Sequence, residues 1–287
     1  MNQNEIISIL ESLSGPLDIS LVNDYLFRAL LQKNNNVLKA LIASLLHMNL
    51  SDIKSVKIEN EIVLGEQTKD KEFILDIRIM MNNNTIINLE MQVINYHNWP
   101  ERSMSYLSRT FDNLAHGEDY IKVKPTIQIG LLDYTLFPEA PEFYANYYLM
   151  NEKTYQKYSD KLRISVVDLT QIDLATEEDK AYGIDHWAAL FKSQTWEELK
   201  MLAKNNDSIT DAVSTIYDIT QDSVLREEIR AREERLALEN RLKQEAVAMQ
   251  EAIDDLKEKN AEMEEQNAIK DKRIAELEAR LKELQSK

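Results

Sequence analysis

The chain has 287 residues and no cysteine, so disulfides and thiolate metal sites are excluded. That absence fits a reducing compartment, and a cytoplasmic location is the expectation. Glycine and proline are scarce, five of each, so long secondary-structure elements are expected. A run of ~18 apolar residues occurs nowhere. The opening MNQNEIISILESL has no basic stretch leading into an apolar one, so neither a membrane span nor a secretory leader is expected. Neither G-x-x-x-x-G-K-[ST] nor G-x-G-x-x-G is present, so no nucleotide cofactor is expected. The four histidines show no zinc-ligand spacing, and His97 alone lies near the acidic stretch discussed below.

Positive charge is also in short supply. The net charge is −16, with 20 Lys/Arg against 33 Asp/Glu in residues 1–222 and 14 against 17 in residues 223–287. This argues against a generally basic surface for nucleic acid. Any contact with a polyanion needs a local basic patch or a bound metal.

What is present is enough apolar residue, 44%, for one large domain or two smaller ones. DYLFRALLQ (24–32) and NVLKALIASLLH (36–47) have helical spacing and are joined by an Asn-rich turn. Residues 53–64 read as extended or mixed, and two strands surround the NNN of 82–84. WPERSMSYLSRTFDNLAH (99–116) reads as a helix with Pro100 in its first turn and Gly117 just past its end. KPTIQIGLLDY and RISVVDLT read as strands separated by an aromatic loop, FYANYYLM, and 177–222 reads as helical. The fold class expected is α/β, a mixed central sheet flanked by helices.

From about residue 223 the composition turns to Glu, Lys, Arg, Ala, Leu and Gln. Ile253, Asn260, Asn267, Ile274 and Leu281 recur every seven residues, each followed three later by Leu256, Met263, Lys270, Leu277 and Leu284. These are a and d positions of a heptad series, with Ile229 and Leu236 in a different phase upstream. Two domains follow, 1–222 and a helical coiled coil over 223–287 that would hold a homodimer or higher homo-oligomer. The alternative is a solvated helix with no partner.

FILDIRIMMNNNTIINLEMQV (73–93) places acids inside two apolar strands. Glu90 and Gln92, two apart, share one strand face. With a three-residue loop at Asn82–Asn84, Met81 faces Thr85, Arg78 faces Asn88 and Asp76 faces Glu90. A two-residue loop would turn Asp76 to the other face. Facing carboxylates repel unless compensated. Mg²⁺ suits them, being held by one or two carboxylates with waters, and the Met91 carbonyl offers another oxygen. The competing arrangement pairs Asp76 with a lysine or arginine and leaves Glu90 facing solvent at a sheet edge.

An Asp on one strand followed by E-x-Q on the next resembles the PD-(D/E)XK nuclease superfamily, and its recombination-promoting nuclease/putative transposase branch in particular. The residues are Asp76 in LDIRI and Glu90 and Gln92 in NLEMQV. NDYLFRALL (23–31), ERSMSYLSRTFDNLAHGEDYIKVKPTIQIGLLDY (101–134) and LREEIRAREERL (225–236) resemble further segments of that branch. The resemblance implies a restriction-endonuclease-like core and a Mg²⁺-dependent endonuclease acting on DNA, with Mn²⁺ as a substitute. It implies that Asp76 and Glu90 bind the metal and that Gln92 stands where the superfamily usually has lysine. Gln92 has no charge and cannot act as a base. Asp24 is a candidate third acid, or else caps its helix. Arg102, Tyr106 and Arg109 are candidate phosphate contacts, or else a paired arginine and a core tyrosine. Lys122 and Lys124 after the GEDY turn are a second candidate contact, with a solvated surface the favoured reading. A nuclease-like scaffold that acts through its coiled coil is the competing function.

Overall fold

A computed structural model describes residues 12–60, 77–204 and 206–285. Two short-linked helices lead into the sheet, α1 (Asp24–Lys33) and α2 (Asn35–Leu45). Asparagines start both. The Asn23 side chain accepts from the Leu26 N–H at 3.0 Å, and Asn34 accepts from Asn36 and Val37 at 3.0 and 3.2 Å. These bonds satisfy amides that have no partner within the helix. Then come β1 (Val56–Ile58), β2 (Ile77–Met81) and β3 (Thr85–Gln92).

The β2–β3 hairpin closes on three residues, with Met81 opposite Thr85 and Arg78 opposite Asn88. Asn82 and Asn83 both take positive φ, 50° and 60°, and the Asn84 N–H donates to the Met81 carbonyl at 3.1 Å. Left-handed backbone at consecutive positions is a primed turn, and Asn tolerates it better than most side chains. Asn82 is also held from outside, its Oδ1 accepting from the Lys54 and Ser55 amides at 2.7 and 3.2 Å.

After β3 come α3 (Trp99–Phe111), β4 (Thr126–Leu132), β5 (Tyr144–Tyr147) and β6 (Leu162–Asp168). α3 ends five residues short of its expected limit. Asn113 explains this. Its amide donates to the Thr110 and Phe111 carbonyls at 3.3 and 3.1 Å, and its Oδ1 accepts from the Lys124 N–H at 3.1 Å. One side chain thus closes the helix and anchors the approach to β4, while Gly117, at φ 85°, serves a separate turn. The stretch read as an aromatic loop supplies β5, an edge strand antiparallel to β6. Ala145 is buried while Asn146 and Tyr147 are both exposed, so this short edge strand shows no clean period-two alternation that a sequence reading could follow.

Among the described residues the sheet has six strands in the order β1-β2-β3-β4-β6-β5. β3, β4 and β6 are parallel neighbours and the outer pairs are antiparallel. Helices α4 (Glu177–Ala181), α5 (Ile184–Lys192), α6 (Trp196–Ala203) and α7 (Asp207–Gln221) follow, then α8 (Ser223–Gln285). Capping boxes at Thr176/Asp179 and Thr195/Glu198 start α4 and α6.

One face of the sheet carries the large core. Ile87, Leu89 and Met91 of β3, with Ile129 and Leu131 of β4, join α1, α2, α5 and α7 in it. Leu225 and Ile229, from the first turns of α8, belong to the same core. The sequence boundary at 222/223 marks where α8 begins, whereas the first compact unit runs Met1–Leu236 and the second is Ala237–Lys287. In the second unit Ile253, Leu256, Met263, Ile274, Leu277 and Leu281 are exposed. Among the described residues no helix is long and apolar enough to cross a membrane.

Candidate functional site

The other sheet face is polar where α3 crosses it. Asn88, Glu90 and Gln92 alternate with the core residues of β3 and so point to this side. Asn88 donates its amide to the Thr110 hydroxyl at 2.8 Å. Two residues along, Glu90 is 3% exposed, and its Oε2 lies 3.2 Å from Nη2 of Arg102. The guanidinium carbon of Arg102 sits 5.0 Å from the Tyr106 ring centroid, a cation–π contact one turn further along α3. Arg102 therefore touches both a buried carboxylate and an aromatic face. Arg109 is exposed in the last turn of α3.

Close approach of α3 depends on β4. Gly130 pairs with Glu90 in the parallel ladder. A Cβ at Gly130 would lie 2.3 Å from the Trp99 ring, so the indole occupies the space of the missing side chain. Trp99 in turn packs with Leu132 and Val166 in a small second core.

Gln92 has a partner that sequence reading did not single out. The Tyr134 hydroxyl donates to Gln92 Oε1 at 2.9 Å, which commits the carbonyl end of the amide and leaves its NH₂ to donate elsewhere. Burial, and then the negative charge of Glu90, raise the Tyr134 pKa, with Arg102 opposing them. The phenol is thus a protonated donor through the neutral range. The available signal was the end of LLDY, which lies one strand over from Gln92, since Gln92 pairs with Leu132.

Asp76 lies outside the described residues. Its strand neighbour Ile77 pairs with Leu89. Asp24 is nearly buried on α1 and forms a bidentate pair with Arg232 of α8, Nε to Oδ1 at 2.8 Å and Nη2 to Oδ2 at 2.5 Å. Asp24 also accepts from the Tyr25 N–H at 3.0 Å, while the N-cap itself is Asn23. Arg78, opposite Asn88, reaches Glu59 at 2.9 Å. Met91 lies between Glu90 and Gln92 with its side chain in the large core. His97 takes φ 53° in the loop before α3, its N–H donating to Asn95 Oδ1 at 2.8 Å.

The structure thus brings Glu90, Gln92, Arg102 and Tyr106 together, adds Tyr134, and ties Asp24 to α8. A family model described as "PD-(D/E)XK nuclease family transposase" matches residues 21–246. The chain belongs to that family. No curated protein and no solved structure matches it. A nuclease-like fold follows from membership, and the match covers the hairpin, α3, β4 and the start of α8. PD-(D/E)XK nucleases often use Mg²⁺. Here Glu90 is already paired with a guanidinium, and among the described residues no group of three His, Asp or Glu could hold a metal. The described donors therefore do not by themselves fit Mg²⁺.

Proposed function

We propose that this protein is a nuclease-fold scaffold of low intrinsic activity, with its acidic site held shut by Arg102 and its C-terminal helix pairing with a second copy. The observation that carries this reading is the Glu90–Arg102 pair at 3.2 Å. A buried carboxylate with a guanidinium against it is already compensated, and opening that pair leaves a desolvated charge behind. Gln92, in place of a lysine, adds neither charge nor base. The exposed a and d residues of α8 supply the apolar seam, and Asn260 and Asn267 at a positions would fix its register. Cytoplasmic residence accords with the cysteine-free sequence.

A second reading, a Mg²⁺- or Mn²⁺-dependent DNA endonuclease serving recombination or mobile DNA, is favoured by the hairpin. Its three-residue loop is the register that sequence counting required for Asp76 to face Glu90. In this reading Asp76, Glu90 and the Met91 carbonyl would hold the cation, and Asp24 would have to leave Arg232 to serve as a third acid. The cation would supply charge neutralisation at the scissile phosphate and a water of lowered pKa. The Gln92 NH₂, oriented by Tyr134, would donate to a phosphate oxygen, and Arg102, Tyr106 and Arg109 would position the DNA.

Plasmid nicking in Mg²⁺ or Mn²⁺, with EDTA controls, separates the two. A scaffold gives wild-type nicking no greater than that of Glu90→Ala. An endonuclease gives metal-dependent nicking that both Asp76→Ala and Glu90→Ala abolish, and that outcome ends the scaffold reading.

A further inference from the structure

At the far ends of β4 and β6 from Glu90, two segments distant in sequence meet. Thr126 pairs with Leu162, and the Thr126 N–H donates to the Lys161 carbonyl at 2.8 Å. Lys161 then reaches across, its Nζ donating to the Ile121 and Val123 carbonyls at 2.6 and 2.9 Å. Residues 120–124 and 153–163 together hold six Lys/Arg and one acid, in a chain whose net charge is −16. Glu118, Asp119 and Glu152 flank them. Of these, Glu118 accepts from the Ala115 N–H at 2.9 Å and Asp119 from the Ile121 N–H at 3.0 Å, and with all three counted the six Lys/Arg still outnumber four acids.

The same two segments display aromatic rings. Tyr120, Tyr155 and Tyr158 are 86%, 74% and 83% exposed, beside Ile121 at 81%. The turn that carries two of these tyrosines is well tied. The Tyr158 N–H donates to the Leu149 carbonyl and the Asn151 N–H to the Gln156 carbonyl, both at 2.9 Å. Asn151 Oδ1 accepts from the Lys153 and Thr154 amides at 2.9 and 3.0 Å. Lys157 lies 3.7 Å from the Tyr148 ring centroid and 3.6 Å from Asp160. The rings are therefore presented on an anchored turn, interleaved with lysines.

We infer that this tyrosine–lysine surface binds single-stranded DNA, its rings stacking on bases while Lys122, Lys124, Lys153 and Lys157 meet phosphates. Charge complementarity selects the partner. The rest of the domain repels a phosphate chain, so attraction is confined to a place where cations outnumber acids. The rings select the strandedness, because every unpaired base offers a π-face whereas a duplex hides its bases in the stack. Glu90 lies opposite Gly130, four residues along β4 from Thr126, which is roughly 13 Å at strand rise, so the surface lies beyond the opposite end of the strand and is not part of that site. This inference goes beyond the scaffold reading, shares with the second reading only that DNA is a partner, and requires no cleavage.

The test is fluorescence anisotropy with labelled dT₂₀ in EDTA, using the full chain. Wild type should bind with an affinity that falls as salt rises. Tyr155→Ala with Tyr158→Ala should weaken binding by at least about tenfold. Lys153→Glu with Lys157→Glu should weaken it and flatten the salt dependence. All four side chains are exposed, and unchanged circular dichroism and Tm would certify the fold. Equal binding by both double variants overturns the inference. So does equal binding of a blunt duplex, tighter binding of U₂₀, or a tyrosine variant whose only change is a smaller species in light scattering. Because EDTA removes metal-dependent cleavage, a protein that nicks nothing yet holds dT₂₀ through these residues supports the inference. One that nicks through Glu90 but binds dT₂₀ independently of them refutes it.

Discussion

Ile87, Leu89 and Met91 enter the large core, whereas Asn88, Glu90 and Gln92, interleaved with them on β3, meet α3 and the end of β4. The two sets share backbone hydrogen bonds and differ only in the face they occupy. On the core face the contacts are apolar and many-sided, so stability should be lost wherever volume is removed. On the α3 face they are few and specific, so a change should alter charge or orientation more than folding. A strand buried on both faces can thus hold a buried acid rigidly without giving up its core.

The largest effect should come from breaking the core face. Leu89→Ala should cost about 2–5 kcal/mol in urea unfolding, since a fully buried leucine leaves a cavity. If it costs less than Gln92→Ala, the division between the faces is wrong. Next is Gly130→Ala, whose Cβ meets Trp99 at 2.3 Å and should cost about 1–3 kcal/mol through overpacking. Trp99→Leu in the same chain should recover part of that loss. Recovery would place the strain at this contact and not elsewhere in β4.

Smaller again is Tyr134→Phe, which removes the bond to Gln92 and should cost about 1 kcal/mol at neutral pH. Its pH signature is more telling. The folded state raises the Tyr134 pKa through burial and then Glu90, so it favours the protonated phenol. That stability is fully present below the ordinary tyrosine pKa, about 10, and is lost as pH rises beyond it. Tyr134→Phe should therefore flatten the alkaline limb of a stability–pH curve. An unchanged limb would assign that limb to other tyrosines such as Tyr144, which burial also raises. The smallest effect on unfolding belongs to Leu277→Lys, in the second compact unit. It should leave the first unit's urea midpoint in place while light scattering falls from dimer to monomer. An unchanged mass would locate any self-association outside the heptads.

Part of this was legible in the chain alone. Counting inward from three asparagines gave Met81 opposite Thr85 and Arg78 opposite Asn88, because strand period and loop length leave little freedom. Helices α1 and α2 were readable from apolar spacing and the Asn-rich turn between them, whereas the cap of α1 proved to be Asn23 and not Asp24. The end of α3 was not readable, because Asn113 stops it by bonding to Lys124, eleven residues on. Nor was β5, whose aromatic sequence masks a short edge strand. Tyr134 and the Trp99–Gly130 contact escaped notice because their partners come from neighbouring elements 42 and 31 residues away.

By itself the sequence determined the strand faces, the helix starts, the heptad phase and the scarcity of positive charge, all consequences of local periodicity and composition. Tertiary structure decided which cation meets which acid. Arg102 goes to Glu90 and Arg232 to Asp24, and lysines of two distant segments gather at one end of the sheet. Charge pairing depends on distances of a few ångströms between elements, and spacing along a chain does not specify those distances until the elements have packed.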